Sequence, residues 1–262
     1  MHERVHSALI ALEDFDGSAN DFYEKWWSGL KIDNDHANYY TYSPTEFHSP
    51  IPVILSNDSI DKESASNGMR MLRFFRGEIL DSGNGFGQLI RRKKWDTDFW
   101  TWRSTSSPEL LRLDGRIIRI YVPSVKNLNN LLIDYVYEAI EGSKLIATLK
   151  QRRSLGQASD SMVLWVPEYQ CSRLLSLLIS MELAFAAKPP PLTFEYKGFG
   201  LADHPEDGKS LGMLFSDFLW GFAKGAYIGT LESEAKKLGL NLDDPWILDA
   251  RSSSGEWQRR VL

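Results

Sequence analysis

A chain of 262 residues, 43% hydrophobic and 25% charged, carries enough apolar material for a large core in one domain or two. Its net charge of −5 and pI near 5.6 give no general attraction to nucleic acid or to an anionic membrane surface. The single cysteine, Cys171, rules out an internal disulfide and a multi-thiolate metal site, and its setting YQCSRL reads as a buried helix position.

The first residues, MHERVHSALIALEDFDG, are too acidic and too short in apolar run for a secretory signal, and no stretch approaches a transmembrane span. A cytoplasmic protein is expected. Residues 3–13 and 21–30 read as two short helices, the second carrying Phe22, Tyr23, Trp26, Trp27 and Leu30 at near-helical spacing. His36 to Asp58, rich in aromatics, Ser and Pro, reads as a long loop. A helix is predicted over 59–80, with Met69, Met71, Leu72, Phe75 and Ile79 on its apolar side, followed by a turn at DSGNGFG. The cluster Arg91-Arg92-Lys93-Lys94 reads as a solvated sheet margin or a phosphate contact, and FWTWR after it as an alternating strand.

From Arg116 the pattern is clearer. IIRIYV (117–122) is a strand, Pro123-Ser124 opens a helix from about 125 to 141, and KLIATLK (144–150) and SMVLWV (161–166) are strands. Pro167-Glu168 starts a helix to about 187, three prolines (189–191) hold the chain extended, and LTFEY (192–196) closes the set. This order predicts an α+β fold: a ferredoxin-like βαββαβ sheet with helices before and after it. The whole chain is read as one domain, 1–112 a helical and β part, 113–262 the ferredoxin-like part with C-terminal helices. A polar loop with Gly198, Gly200, Asp203, His204 and Lys209 leads to Ser210, the N-cap of an apolar helix to about 226, and another helix is predicted over 230–238. A loop carrying His, Asp and Lys against a helix N-terminus is a place to hold an anion and move a proton, or an ordinary solvated connection. The tail RSSSGEWQRRVL reads as loosely held.

Several familiar chemistries are absent: no GxxxxGK[ST], no dinucleotide fingerprint, no HExxH and no GxSxG. The five histidines are scattered, so no metal and no cofactor are expected.

A set of short phrases, in order, resembles the Hop-type III effector-like domain family, which also occurs in gene clusters for class V lanthipeptides and thioamitides. They are FYEKWW (22–27), SGNGFG (82–87), RIYV (119–122), DSMVLWV (160–166), PLTF (191–194), GLADHP (200–205) and SLG (210–212), and they span nearly the whole chain. The resemblance implies a lyase component that eliminates phosphate from phosphoserine or phosphothreonine of a ribosomal precursor peptide, leaving a dehydroamino acid, beside a kinase-like partner. That chemistry needs a base for the α-proton, cations for the leaving phosphate and a groove for an extended peptide. Candidates are Arg119, Arg152 and Arg153 as guanidinium forks for phosphate, Lys150 as base, His204 as acid, and Asp160 and Asp203 to orient the cations. Tyr121 and Ser210 complete the expected binding set. Phe215 and the pair Ala158-Ser159 stand where the family pattern carries basic residues, which keeps open a non-catalytic subunit that binds peptide or partner. A host-targeted effector is a third reading.

Overall fold

The two most apolar runs, IIRIYV and MVLWVP, form the middle of one sheet and are buried on both faces. The computed structural model describes residues 1–27, 79–81, 88–90, 99–103, 116–125, 136, 139–140, 142–152, 159–205, 210–248 and 254–262. Its strands are β1 (Ile79–Asp81), β2 (Gln88–Ile90), β3 (Phe99–Arg103), β4 (Ile117–Val122), β5 (Thr148–Arg152), β6 (Met162–Pro167), β7 (Phe194–Tyr196) and β8 (Phe199–Asp203). They lie in the order β1-β2-β3-β5-β6-β4-β8-β7, every neighbouring pair antiparallel. The inner order β5-β6-β4-β8 is that of a split βαβ sheet: β4 and β5 run parallel with β6 between them, and helical positions Val136, Ala139 and Ile140 lie on the crossover. The expected ferredoxin-like arrangement is present, extended by β3, β2 and β1 on one edge and β7 on the other.

Four boundaries differ from the sequence reading. The fourth strand of the motif is β8, read from sequence as a polar loop. LTFEY contributes only the edge strand β7, joined to β8 by a tight turn in which Lys197 (φ 51°) and Gly198 (φ 86°) both take the left-handed conformation. The strand expected at 144–150 starts later, because the Ile146 N–H is taken by the Gln170 side chain at 2.7 Å and is lost to the ladder. Helix α3 (Glu168–Ser180) stops short of residue 187: Glu182 is left-handed (φ 50°), and Phe185 then bridges Val125. Ile79 and Leu80, expected to end a helix, are strand. The remainder of that helix, the loop 36–58, the turn residues 82–87 and the basic cluster 91–94 lie outside the described residues, as does most of the expected helix over 125–141.

Helices cover both faces. Helix α3 packs on β4 and β6, and the C-terminal helix α6 (Ser254–Val261) packs on α3. On the other face the π-helical turn Tyr23–Trp27, which follows α2 (Ala19–Phe22), brings Trp27 edge-on to Tyr121, and α4 (Leu211–Ala223) packs on that turn, on α2 and on α1 (Glu3–Glu13); α5 (Leu231–Lys237) follows. The tail expected to be loose is therefore a docked helix, with Trp257 and Val261 fully buried. Its sequence hides this, because two apolar residues at i and i+4 suffice for one buried stripe. Among the described residues, no helix is long and apolar enough to cross a membrane.

Gly212 fixes how closely α4 approaches the π-helical turn. A Cβ there would run into the Trp27 indole, itself fully buried. Gly212→Ala should gain about 1 kcal/mol of helix propensity but lose about 1–3 kcal/mol to overpacking. The expected result is a net lower melting temperature by thermal denaturation; a variant more stable than the parent would show that Trp27 yields.

Candidate functional site

Strand alternation assigns the polar residues of β4 to one face. Arg119 and Tyr121 point away from α3, and register sets Arg119 opposite Trp165 on β6 and Ala202 on β8. His204 follows β8, and its backbone N–H donates to the Ile117 carbonyl at 3.0 Å, which puts it in phase with Arg119. The small side chain of Ala202 leaves room for the guanidinium to reach across β8. Arg119 Nε donates to His204 Nδ1 at 2.9 Å, and the guanidinium carbon lies 5.2 Å from the centre of the Trp165 ring. Trp165 meets His204 edge-on, centroids 6.5 Å apart. With Nδ1 accepting, the neutral imidazole carries its proton on Nε2.

Further polar groups join from other segments. Tyr121 is fully buried, its hydroxyl without a hydrogen-bond partner of standard geometry among the described residues. Burial pushes its pKa up, and the Arg119 guanidinium pulls against that rise. The Tyr23 phenol is also pushed up, first by burial and then by the nearby Asp160 carboxylate. Both phenols therefore stay protonated at neutral pH and can donate. Ser210 caps α4 by accepting from Met213 N at 3.0 Å and turns its own hydroxyl toward Tyr23 Oη at 3.5 Å. Ser159, beside Asp160, donates to the Trp27 carbonyl at 2.7 Å and ties this corner to the π-helical turn. The Trp27 ring lies under Tyr23 and edge-on to Tyr121.

Five of the expected site residues thus gather on one face of the sheet: Arg119, Tyr121, Asp160, His204 and Ser210. Lys150 sits on β5 between Val163 and Thr101, and Arg152 opposite Phe99. Position 150 is in phase with Tyr121 and two strands away, about 10 Å. Arg153 and Ala158 lie outside the described residues. Asp203 does not join the cluster. It is fully buried on the opposite face, where its carboxylate accepts from Arg116 Nη2 at 3.2 Å, Trp257 Nε1 at 3.0 Å and the Leu248 N–H at 2.9 Å. Phe215 is a fully buried residue of α4.

The sequence reading passed over Tyr23, Trp27 and Trp165 as site residues. The stacked aromatics of FYEKWW were a signal for the first two, but Trp165 becomes a partner of Arg119 only through the β4–β6 register. Among the described residues, no group of three or more His, Cys, Asp or Glu side chains is placed to hold a metal ion. Chemically, the face offers a guanidinium, an imidazole N–H, two protonated phenols and a helix N-terminus with a hydroxyl cap, with one carboxylate among them. That set suits an anion with several acceptor oxygens.

No known protein-family model matches the chain, and no curated protein matches it. Among solved structures, the fold is similar to that of an effector protein from Pseudomonas syringae pv. tomato strain DC3000, with a TM-score of 0.60 at 15% identity, over 94% of this chain and 96% of that one. It is also similar to an effector protein from Pseudomonas syringae pv. syringae strain 61, with a TM-score of 0.50 at 11% identity, over 94% of this chain and 98% of that one. At these identities the likeness is one of fold, and in fold the chain is effector-like.

Proposed function

We propose that this protein binds a phosphoserine or phosphothreonine side chain of a peptide against the Arg119–His204 face and eliminates its phosphate to leave a dehydroamino acid. The observation that carries this reading is the convergence of Arg119, Tyr121, Asp160, His204 and Ser210, from separate parts of the chain, on one side of the sheet. The ordered phrases that resemble the Hop-type domain family supply the reaction class. In the reaction a base takes the α-proton, the Cα–H electron pair becomes the Cα=Cβ bond, and the Cβ–O bond breaks with its pair leaving on phosphate. Arg119, with Arg152 and Arg153, would neutralise the departing oxygens, the His204 Nε2–H would donate to the bridging oxygen, and Lys150 would be the base. Asp160 would balance the cationic charge, and Asp203 would act from behind the sheet. The peptide and a kinase-like protein are the partners, in the cytoplasm.

The test is direct. A synthetic phosphoserine peptide, incubated with the protein, should lose phosphoric acid by mass spectrometry. No loss, with a kinase-like protein of the proposed kind also present, rejects catalysis. A second reading rests on Phe215, a buried apolar residue where the family pattern carries a basic one: the protein then binds the phosphopeptide without turning it over. Saturable binding with no mass change would select that reading.

A further inference from the structure

We infer that the C-terminal helix α6 is a positioning element for the reacting face, acting through Trp257 and Asp203 on His204. This rests on His204 belonging to the reacting cluster. Asp203 and His204 are consecutive residues whose side chains leave β8 on opposite sides. His204 accepts from Arg119 on one face, while Asp203 on the other is tied to three segments. Trp257 Nε1–H of α6 donates to Oδ1 at 3.0 Å, the Leu248 N–H donates to Oδ2 at 2.9 Å, and Arg116 donates Nη2 to Oδ2 at 3.2 Å, its Nε an ion-pair contact 3.1 Å from Oδ1. The Asp203 backbone N–H is held as well, by the Trp246 carbonyl at 2.9 Å.

The chain of charges returns to α6. Arg116 also pairs with Glu168 at 3.3 Å, and Arg260, one turn beyond Trp257, pairs with the same Glu168 oxygen at 3.1 Å. The helix is therefore held at two points, and the fully buried indole N–H of Trp257 is the point that reaches the residue next to His204. A carboxylate so constrained leaves little torsional freedom at 203, so the direction in which the imidazole leaves the strand is set from behind the sheet. Trp257, Arg116 and Asp203 are positioning residues; none of them lies on the Arg119 face.

Trp257→Phe tests this, because it keeps an aromatic ring and removes only the N–H and part of the indole. The control is Trp246→Phe, whose buried indole N–H has no hydrogen-bond partner among the described residues. The 15N shifts of the His204 imidazole, assigned by comparison with His204→Asn, report its tautomer in each folded variant. In Trp257→Phe they should move toward a mixture of tautomers, and elimination should show kcat down about 10-fold with KM unchanged, as for a small misplacement of a reacting group. Trp246→Phe should leave both at parent values. Parent-like His204 shifts in a folded Trp257→Phe would overturn the inference. Shifted signals in a protein that eliminates nothing would uphold the positioning and count only against the lyase reading. Should Trp257→Phe not fold, Arg116→Lys, which keeps a cation at Asp203 but loses the guanidinium fork, is read by the same signals.

Discussion

Arg119→Lys is expected to lower turnover of a phosphoserine peptide by about 100-fold to 1,000-fold while the protein stays folded. The charge is retained, so the loss comes from geometry. A guanidinium can present Nε to His204 and its other N–H groups to a ligand in one plane, and a lysine ammonium cannot make that division. The stated range is about 2.7–4 kcal/mol, since 1.4 kcal/mol is a factor of ten, and it matches the loss at the transition state of two charge-assisted hydrogen bonds near the lower end of their usual 1.5–3 kcal/mol each. The stability loss is smaller. Lysine gives up the bond to His204 Nδ1 and a well-aligned contact with Trp165, together about 1–3 kcal/mol. Steady-state kinetics beside a thermal melt separates the two effects. A folded Arg119→Lys within about threefold of the parent in kcat/KM, roughly 0.7 kcal/mol, would remove Arg119 from the phosphate site.

The middle of the fold was legible because its signal is local. IIRIYV and SMVLWV are β-branched and apolar throughout, and a strand buried on both faces reads that way whatever surrounds it. The final strand was not legible for the converse reason. FGLAD carries a glycine inside it and another just before, and glycines punctuate loops more often than central strands. Here Gly198 supplies the left-handed turn position, and Gly200 stands where a Cβ would meet Pro189 and Thr193. Both are demands of the hairpin, which the sequence does not announce. The α6 tail was missed in the same way, since RSSSGEWQRRVL is polar on average and its burial depends on a cleft built by residues far away.

For the site, residue types were readable and partners were not. An arginine inside an otherwise apolar strand is conspicuous, since a buried cation must be compensated. Which groups compensate it depends on two registers, Arg119 with Trp165 and Arg119 with Ala202, that only the assembled sheet fixes. Asp203 and His204 were read together as members of one loop. A strand must place consecutive side chains on opposite faces, and that single fact separates them: His204 lies with Arg119, Asp203 with Arg116 and Trp257.

Trp257→Ala should therefore be among the most destabilising single substitutions in the chain, though it falls five residues before Leu262. Removing a buried Trp side chain costs about 3–5 kcal/mol through lost burial and the cavity left behind. The indole also packs against Phe194 of the edge strand, centroids 5.8 Å apart, so the loss reaches β7 as well as α6. The Asp203 carboxylate keeps Arg116 and the Leu248 N–H but loses one donor in a fully buried position, which adds to the cost rather than replacing it. For a domain of this size, that range corresponds to a fall in melting temperature of about 10 °C, measurable by calorimetry. Trp257→Phe should lie well above Trp257→Ala, because it refills most of the volume and forfeits chiefly the N–H bond. A truncation before Ser254 should fall at least as far as Trp257→Ala, since it also removes Val261 and the Arg260–Glu168 pair. If the truncated chain melts with the parent, the tail is no more than the loose end its composition suggests, and the two-point docking of α6 contributes nothing to the folded state.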